Sequence, residues 1–213
     1  EGANLALTTP MCSEAPRLAA VKTPVWDQAG DDAKRIFVDN IQAMHKAGTR
    51  IEEVELPEPF SLAHGAIRTI MSVEAAFNLE ELSISQAPLL SATLRDFIAE
   101  GKEIKAPLYL QALKLRTALQ GELERFLARY DALITLPATG EAPATLEQTG
   151  NPTFCSIWSL CGVPAVTIPV GFGPLGLPLG LQIIGRMGDD ERLLSVARWC
   201  EEGFSFPPWR EKP

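Results

Sequence analysis

Residues 162–186 read GVPAVTIPVGFGPLGLPLGLQIIGR, with six glycines, four prolines and no charge before Arg186. Gly171, Gly173 and Gly176 fit G-x-G-x-x-G, the spacing of a dinucleotide-binding turn. That motif works only where a helix begins at the glycines, because the helix N-terminal amides meet the pyrophosphate. Here LPLGLQIIG follows instead. Pro178 and Gly180 interrupt any helix, and the β-branched pair Ile183–Ile184 favours a strand. The stretch therefore predicts two neighbouring strands, AVTIPV and LGLQIIG, joined by a Gly/Pro turn.

Working outward, residues 17–23 (RLAAVKT) predict a buried strand stopped by Pro24. A helix follows, with Asp31 and Asp32 at its positive end and Ala33, Ile36, Phe37, Ile41 and Met44 on one face. Residues 50–56 (RIEEVEL) read as a second strand, completing a βαβ unit of a parallel sheet. In the middle, a helix is expected over 60–82, with Leu62, Ala66, Ile70, Val73, Phe77 and Leu79 along one stripe. Another covers 91–100 and stops at Gly101, and a long one starts near Pro107. DALITL (131–136) is a compact strand, followed by a polar loop over 137–151. Residues 152–161 predict a short helix with Asn151 as its cap and Pro152 at its first position. A last helix spans 189–202, with Leu193, Leu194, Val196, Ala197 and Trp199 inward. The fold class is α/β: a mixed, largely buried sheet flanked by helices.

Composition excludes several functions. A net charge of −8 leaves no basic footprint for nucleic acid. No apolar run reaches the roughly 18 residues of a membrane span. The four cysteines contain no C-x-x-C pair, and neither histidine has a ligand at metal spacing. No metal or cofactor is implied, and buried thiols with no secretory signal fit a cytoplasmic protein.

Catalytic apparatus is equally absent. Neither G-x-S-x-G nor S-x-x-K occurs. Ser156 and Ser159 flank Trp158 without a His or Lys nearby in sequence, which reads as packing or capping hydroxyls. Cys155, in the first turn of a short helix, reads either as a reactive thiol or as a small buried residue. Acidic pairs such as Glu52–Glu53 read as exposed faces. No catalytic residue is assigned.

DALITLPATGEAP, then TGNPTFCSIWSLCGVPAVTIPVGFGPLGLPLGLQIIGR, then DDERLLSVARWCEE resembles the C-terminal region of the amidase signature hydrolases. Upstream, RLAAVKTPVWD, EAAFNL and EGKEIKAPLYLQALKLR continue the likeness from about residue 16. The resemblance implies an enzyme that hydrolyses carboxamide C–N bonds with a Ser–cis-Ser–Lys triad. The triad lies in a Gly/Ser-rich signature and an upstream lysine, and no such run occurs in these residues. The chain is accordingly expected to be the C-terminal part of one amidase-like domain (17–213), behind an N-terminal segment (1–16) of a truncated chain. Its partners would be a small-molecule amide and the missing N-terminal portion of the enzyme. By itself it should be inactive and prone to self-association. The likeness places Pro137, Ala138, Thr139, Asn151, Phe154, Cys155 and Trp158 beside the substrate pocket. A tRNA-dependent amidotransferase would carry a Y-D-G-x-R stretch where NLEELSIS stands here, which favours a free-standing amidase. The alternative is a non-catalytic, amidase-like binding module.

Overall fold

The structure is a computed structural model and describes residues 12–46 and 48–203. Five strands form one sheet in the order β2-β1-β3-β5-β4: β1 (Arg17–Lys22), β2 (Arg50–Glu55), β3 (Ala132–Thr135), β4 (Ala165–Phe172) and β5 (Pro178–Ile184). β1 runs parallel to both β2 and β3, whereas β5 is antiparallel to β3 and to β4. The sheet is therefore mixed, as expected. Leu18, Ala19, Ala20 and Val21 are buried without alternation, as a strand covered on both faces requires. The two edges differ. β2 carries Arg50, Glu52, Glu53 and Glu55, charges that discourage further pairing, whereas β4 (AVTIPVGF) carries none.

Helices cover both faces. α1 (Asp31–Lys46) and α7 (Asp190–Gly203) pack Phe37, Ile41, Met44, Val196 and Cys200 against Ala20, Ile134 and Ile183. On the other face lie α2 (Ala63–Asn78), α5 (Ala106–Leu127) and α6 (Thr153–Cys161), whose Leu119, Leu123 and Trp158 meet Ala19, Leu133 and Ile184. α3 (Glu80–Ser85) and α4 (Ala92–Glu103) lie between α2 and α5 in the chain. No helix among the described residues is long and apolar enough to cross a membrane. Cys12 is buried in the α1/α7 layer, and residues 1–11 of the expected N-terminal segment lie outside the described residues.

The helical middle departs from the sequence reading. The span 60–82 is broken into a 3-10 turn (Glu58–Leu62), α2 and α3, and Leu62 and Phe77 of its proposed stripe are 56% and 80% exposed. The buried face of α2 runs instead through Ala63, Ala66, Ile70, Ser72 and Ala76. Small residues hold this face because α4 approaches closely. A Cβ at Gly101 would stand 1.9 Å from the Ser72 carbonyl oxygen. Gly101 consequently does not stop α4 but lies buried within it. In α7, Leu194 is 41% exposed, and Cys200 joins the inward face in its place.

Candidate functional site

β1 and β3 end side by side, and the antiparallel β5 brings its first half to the same end of the sheet. In open α/β sheets the carboxyl ends of parallel strands are where ligands bind. Polar side chains gather there. Thr135, Gln182 and Thr167 are register partners across β3, β5 and β4, so their side chains share one sheet face, the α2/α5/α6 face. Thr135 is fully buried and donates its hydroxyl to the Val21 carbonyl at 2.8 Å. Gln182, 5% exposed, donates Nε2 to the sulfur of Cys155 at 3.5 Å. The Cys155 thiol donates in turn to the Pro137 carbonyl at 3.4 Å.

Buried polar atoms without a hydrogen-bond partner are rare, and each calls for a physical reason. Among the described residues four lack one: Gln182 Oε1, Thr23 Oγ1, the Trp158 indole Nε1–H and, on α5, Arg116 Nε–H. Gln182 belongs to the polar row, Thr23 directly follows β1, and Trp158 lies on α6. The fold desolvates these groups without giving them a partner: an amide acceptor, a hydroxyl that can donate or accept, and an indole donor.

The loop after β3 is fastened at alternate residues. Pro137 accepts from Cys155, and Thr139 O accepts the Gly30 amide at 2.7 Å. The Glu141 carboxylate receives Leu175 N at 3.0 and 3.1 Å and Leu177 N at 2.7 Å. Pro137 also packs over Gly180, where a Cβ would lie 3.1 Å from its ring and 2.5 Å from Thr167 Cγ2. The GFGPLG turn thus does bind an anion, but the anion is the protein's own Glu141. β5 follows the turn, with no helix to receive a pyrophosphate.

α6 closes the end of the sheet. α6 begins at Thr153 with Pro152 at its N-cap and no side-chain cap bond, so Asn151 is not the expected cap; its Oδ1 accepts from Thr153 N at 3.0 Å in a turn just ahead of the helix. His64 of α2 donates Nε2–H to the Thr153 carbonyl at 2.8 Å. Gly162 ends α6 in the left-handed conformation at φ 67°, which turns the chain into β4.

Of the seven residues chosen from the sequence, Pro137, Ala138, Thr139 and Cys155 are half-buried around the strand ends, and Asn151 is exposed at the start of α6. Phe154 and Trp158 are each 1% exposed and enter opposite layers, Phe154 that of α1 and α7, Trp158 that of α2 and α5. Both are core residues. The sequence reading missed Gln182, Thr135 and Glu141. A lone glutamine inside the apolar run LGLQIIG was a signal for the first.

The space present is small. Between the loop and α1, a cleft lined by Ala33, Ile36, Pro137, Ala138 and Gly180 has a volume of about 10 Å³, room for one water. A cavity of about 380 Å³ lies at the opposite end of the strands, among Arg17, His45, Arg50, Arg129 and Tyr130. Asp131 holds that end together, receiving Arg17 N at 2.7 Å and Arg192 Nη2 at 3.0 Å. Burial would raise the Asp131 carboxyl, but the Arg17 amide and the Arg192 and Arg17 guanidiniums outweigh it and hold it below its ordinary value. Burial pushes the Cys161 and Cys200 thiols up to about 12. Ser156 Oγ donates to the Pro152 carbonyl at 3.2 Å, and no serine hydroxyl among the described residues is bonded to a lysine or histidine.

A mixed sheet between two helical layers, with polar groups at the carboxyl ends of its parallel strands, defines the fold as α/β. The chain belongs to the amidase family, whose profile, described as Amidase, matches residues 7–194. It is 28% identical to a mitochondrial glutamyl-tRNA(Gln) amidotransferase subunit of Xenopus laevis, across 96% of this chain and 43% of that protein. To the corresponding glutamyl-tRNA(Gln) amidotransferase subunit of Halothermothrix orenii it is 29% identical, across 85% of this chain and 44% of the relative. A crystal structure of an amidase superimposes with a TM-score of 0.82 at 23% identity, over 92% of this chain and 48% of the other. The 6-aminohexanoate cyclic dimer hydrolase gives 0.74 at 17%, over 93% and 47%. The chain spans somewhat under half the length of these relatives.

Proposed function

We propose that these residues form the pocket-bordering, C-terminal portion of a cytoplasmic amidase that hydrolyses a carboxamide C–N bond. In this reading residues 17–213 are part of a single domain, and the Ser–cis-Ser–Lys chemistry is carried by sequence outside the chain. The observation that carries the reading is the fastened loop 137–141, set beside the buried, unpartnered polar atoms of Gln182 and Thr23 in a chain matched by the amidase family profile. Pro137, Ala138, Thr139, Asn151 and Cys155 border the acyl side of the pocket, with Phe154 and Trp158 supporting them. The cleft beside Pro137 and Ala138, about 10 Å³, is too small for an amide substrate, so in this reading the rest of the enzyme supplies the opposite wall. The uncharged β4 edge and the exposed Phe77, Ile84 and Leu89, at 80%, 74% and 79%, offer surface for that assembly. Without the remainder, the same surfaces drive self-association.

The experiment compares the isolated chain with the chain co-expressed beside the N-terminal portion of its own gene. Ammonia or amine release from a panel of aliphatic and aryl carboxamides is the readout. The isolated chain is expected to be inert and the reconstituted pair active. Hydrolysis by the homogeneous isolated chain, or an inert pair that co-purifies in stable form, overturns the reading. The relatives named for tRNA amidotransfer raise that specificity as a rival. Residues 78–85, which hold α3 where the Y-D-G-x-R stretch would stand, favour the free-standing enzyme. Glutamine-dependent amidation of a charged tRNA by the pair would reverse this assignment.

A further inference from the structure

The β4–β5 turn is built as a receptor for a carboxylate. Leu175 N meets both Glu141 oxygens, at 3.1 and 3.0 Å, and Leu177 N meets Oε1 at 2.7 Å. Two internal bonds, Gly173 N to Leu177 O at 2.9 Å and Gly176 N to Gly173 O at 3.0 Å, fix the direction of these amides, with Gly176 at φ 77°. Alternate amides of a turn that converge in this way form an anion-binding concavity without any cationic side chain. The site is also shaped for its occupant. A Cβ at Gly173 would stand 2.3 Å from Glu141 Cδ and 2.4 Å from Cγ, so the carboxylate arm fills the space that only glycine leaves.

Position gives this contact a consequence. Pro137, Thr139 and Glu141 each fasten the loop to a different element, namely α6, the segment before α1, and the β4–β5 turn. From residue 142 to residue 150 the only hydrogen bond recorded among the described residues is local, Glu147 N to Thr145 Oγ1. Glu141 is thus the last long-range fastening before α6, and it is made by a side chain that a free anion could replace.

We propose that the β4–β5 turn is a carboxylate-binding site whose resident ligand is Glu141, and that this occupancy makes Glu141 a positioning residue for the loop 137–150. The positioning role rests on the pocket reading above, whereas the anion site does not. Vacated, the turn takes a small free carboxylate in the same geometry, and the loop is released.

The test uses Glu141→Ala and Glu141→Gln in the 213-residue chain, with sodium formate as the probe and sodium chloride at equal ionic strength as the control. Amide NMR signals of Leu175 and Leu177 report the site, and hydrogen exchange of the Gly30 amide, which donates to the Thr139 carbonyl, reports the loop. In Glu141→Ala, formate should shift both amides saturably, and chloride should not. Exchange of the Gly30 amide should accelerate by about tenfold or more as the loop loses its charge-assisted fastening, and formate should reverse it. Glu141→Gln keeps one acceptor oxygen on an arm of the same length and should fall between, and it also serves if the alanine variant does not fold. The wild-type amides should not respond, because their site is filled. Equal formate responses in wild type and variants, or Gly30 exchange indifferent to both substitutions, overturn the proposal. Failure of the assembled enzyme to hydrolyse amides would sink the pocket reading and leave these NMR results unchanged.

Discussion

Gly101→Ala is the substitution whose cost the structure defines most sharply. The added methyl would lie 1.9 Å from the Ser72 carbonyl oxygen, 2.4 Å from its carbonyl carbon and 2.9 Å from Ala76 Cβ. Ordinary contacts begin near 3.5 Å, so α2 and α4 must separate by more than about 1 Å. The obstacle is backbone, and no rotamer change relieves it. Overpacking of this kind costs about 1–3 kcal/mol, and the upper end applies. Against it stands about 1 kcal/mol of helix propensity gained on replacing glycine by alanine. The net expectation is a loss of about 2 kcal/mol, or a Tm lowered by about 4–8 °C for a domain of this size. Gly65 in α2 and Gly121 in α5 are internal controls, because a Cβ at either meets nothing within 4 Å. Alanine at each should stabilise by about 0.5–1 kcal/mol. Urea unfolding followed by far-UV circular dichroism separates the three, with unchanged m values as the check on two-state behaviour. A Gly101→Ala protein as stable as the two controls would refute the close packing of α2 on α4.

Other expectations concern the site and its ionisable groups. Gln182→Met replaces an amide whose Oε1 is buried without a partner, so the isolated chain should keep its stability to within about 1 kcal/mol. The same variant should lower amide turnover of the assembled enzyme, and equal activity would remove Gln182 from the site. Asp131→Asn should cost about 1–3 kcal/mol at pH 7, measured by urea unfolding. Because the folded Asp131 carboxyl lies below its unfolded value, its contribution is full above about pH 4 and is lost as pH falls through the folded value. The asparagine variant should therefore show a flatter acid limb, and an unchanged limb would contradict the assignment. Burial holds the Cys161 and Cys200 thiols at about 12, so native protein at about pH 8 should be alkylated by iodoacetamide at the half-buried Cys155 before either. Peptide mass spectrometry gives the order. Raised thiol values also mean that their share of stability, complete below about 9, is lost as pH climbs towards about 12.

The βαβ unit and the β4–β5 hairpin were legible because their signals are local. Pro24, Gly48 and the GFGPLG turn punctuate short runs of uniform propensity. The helical middle was not, since its reading followed large apolar side chains. Where α2 meets α4 the contact is made by Ser72, Ala76 and Gly101, which lets Phe77 point to solvent. Within the site, Pro137 and Thr139 lie on the strand-end loop that the resemblance marks, and the structure brings both to the sheet end. Phe154 and Trp158 are four residues apart and suggest one stripe, yet α6 spans the end of the sheet and sends them into different layers. Glu141 left no local signal, because its partner amides are 34 and 36 residues further along the chain.

The pairing of β1 with β3 has a cost in time. Arg17 and Asp131, which meet at its start, are 114 residues apart, whereas the last pair of the β4–β5 hairpin is Phe172 with Pro178. Loop length adds little to the free energy, about 0.6 kcal/mol per doubling, but non-local pairing slows folding. On a ribosome adding about 5–20 residues per second, roughly 6–20 seconds separate the emergence of the two strands. Until β3 is made, the β1 edge that will pair with it is open, with Leu18, Ala19, Ala20 and Val21 uncharged between Arg17 and Lys22. The helices α2 to α5 lie between the two strands in the chain, so all four are made before β1 meets β3.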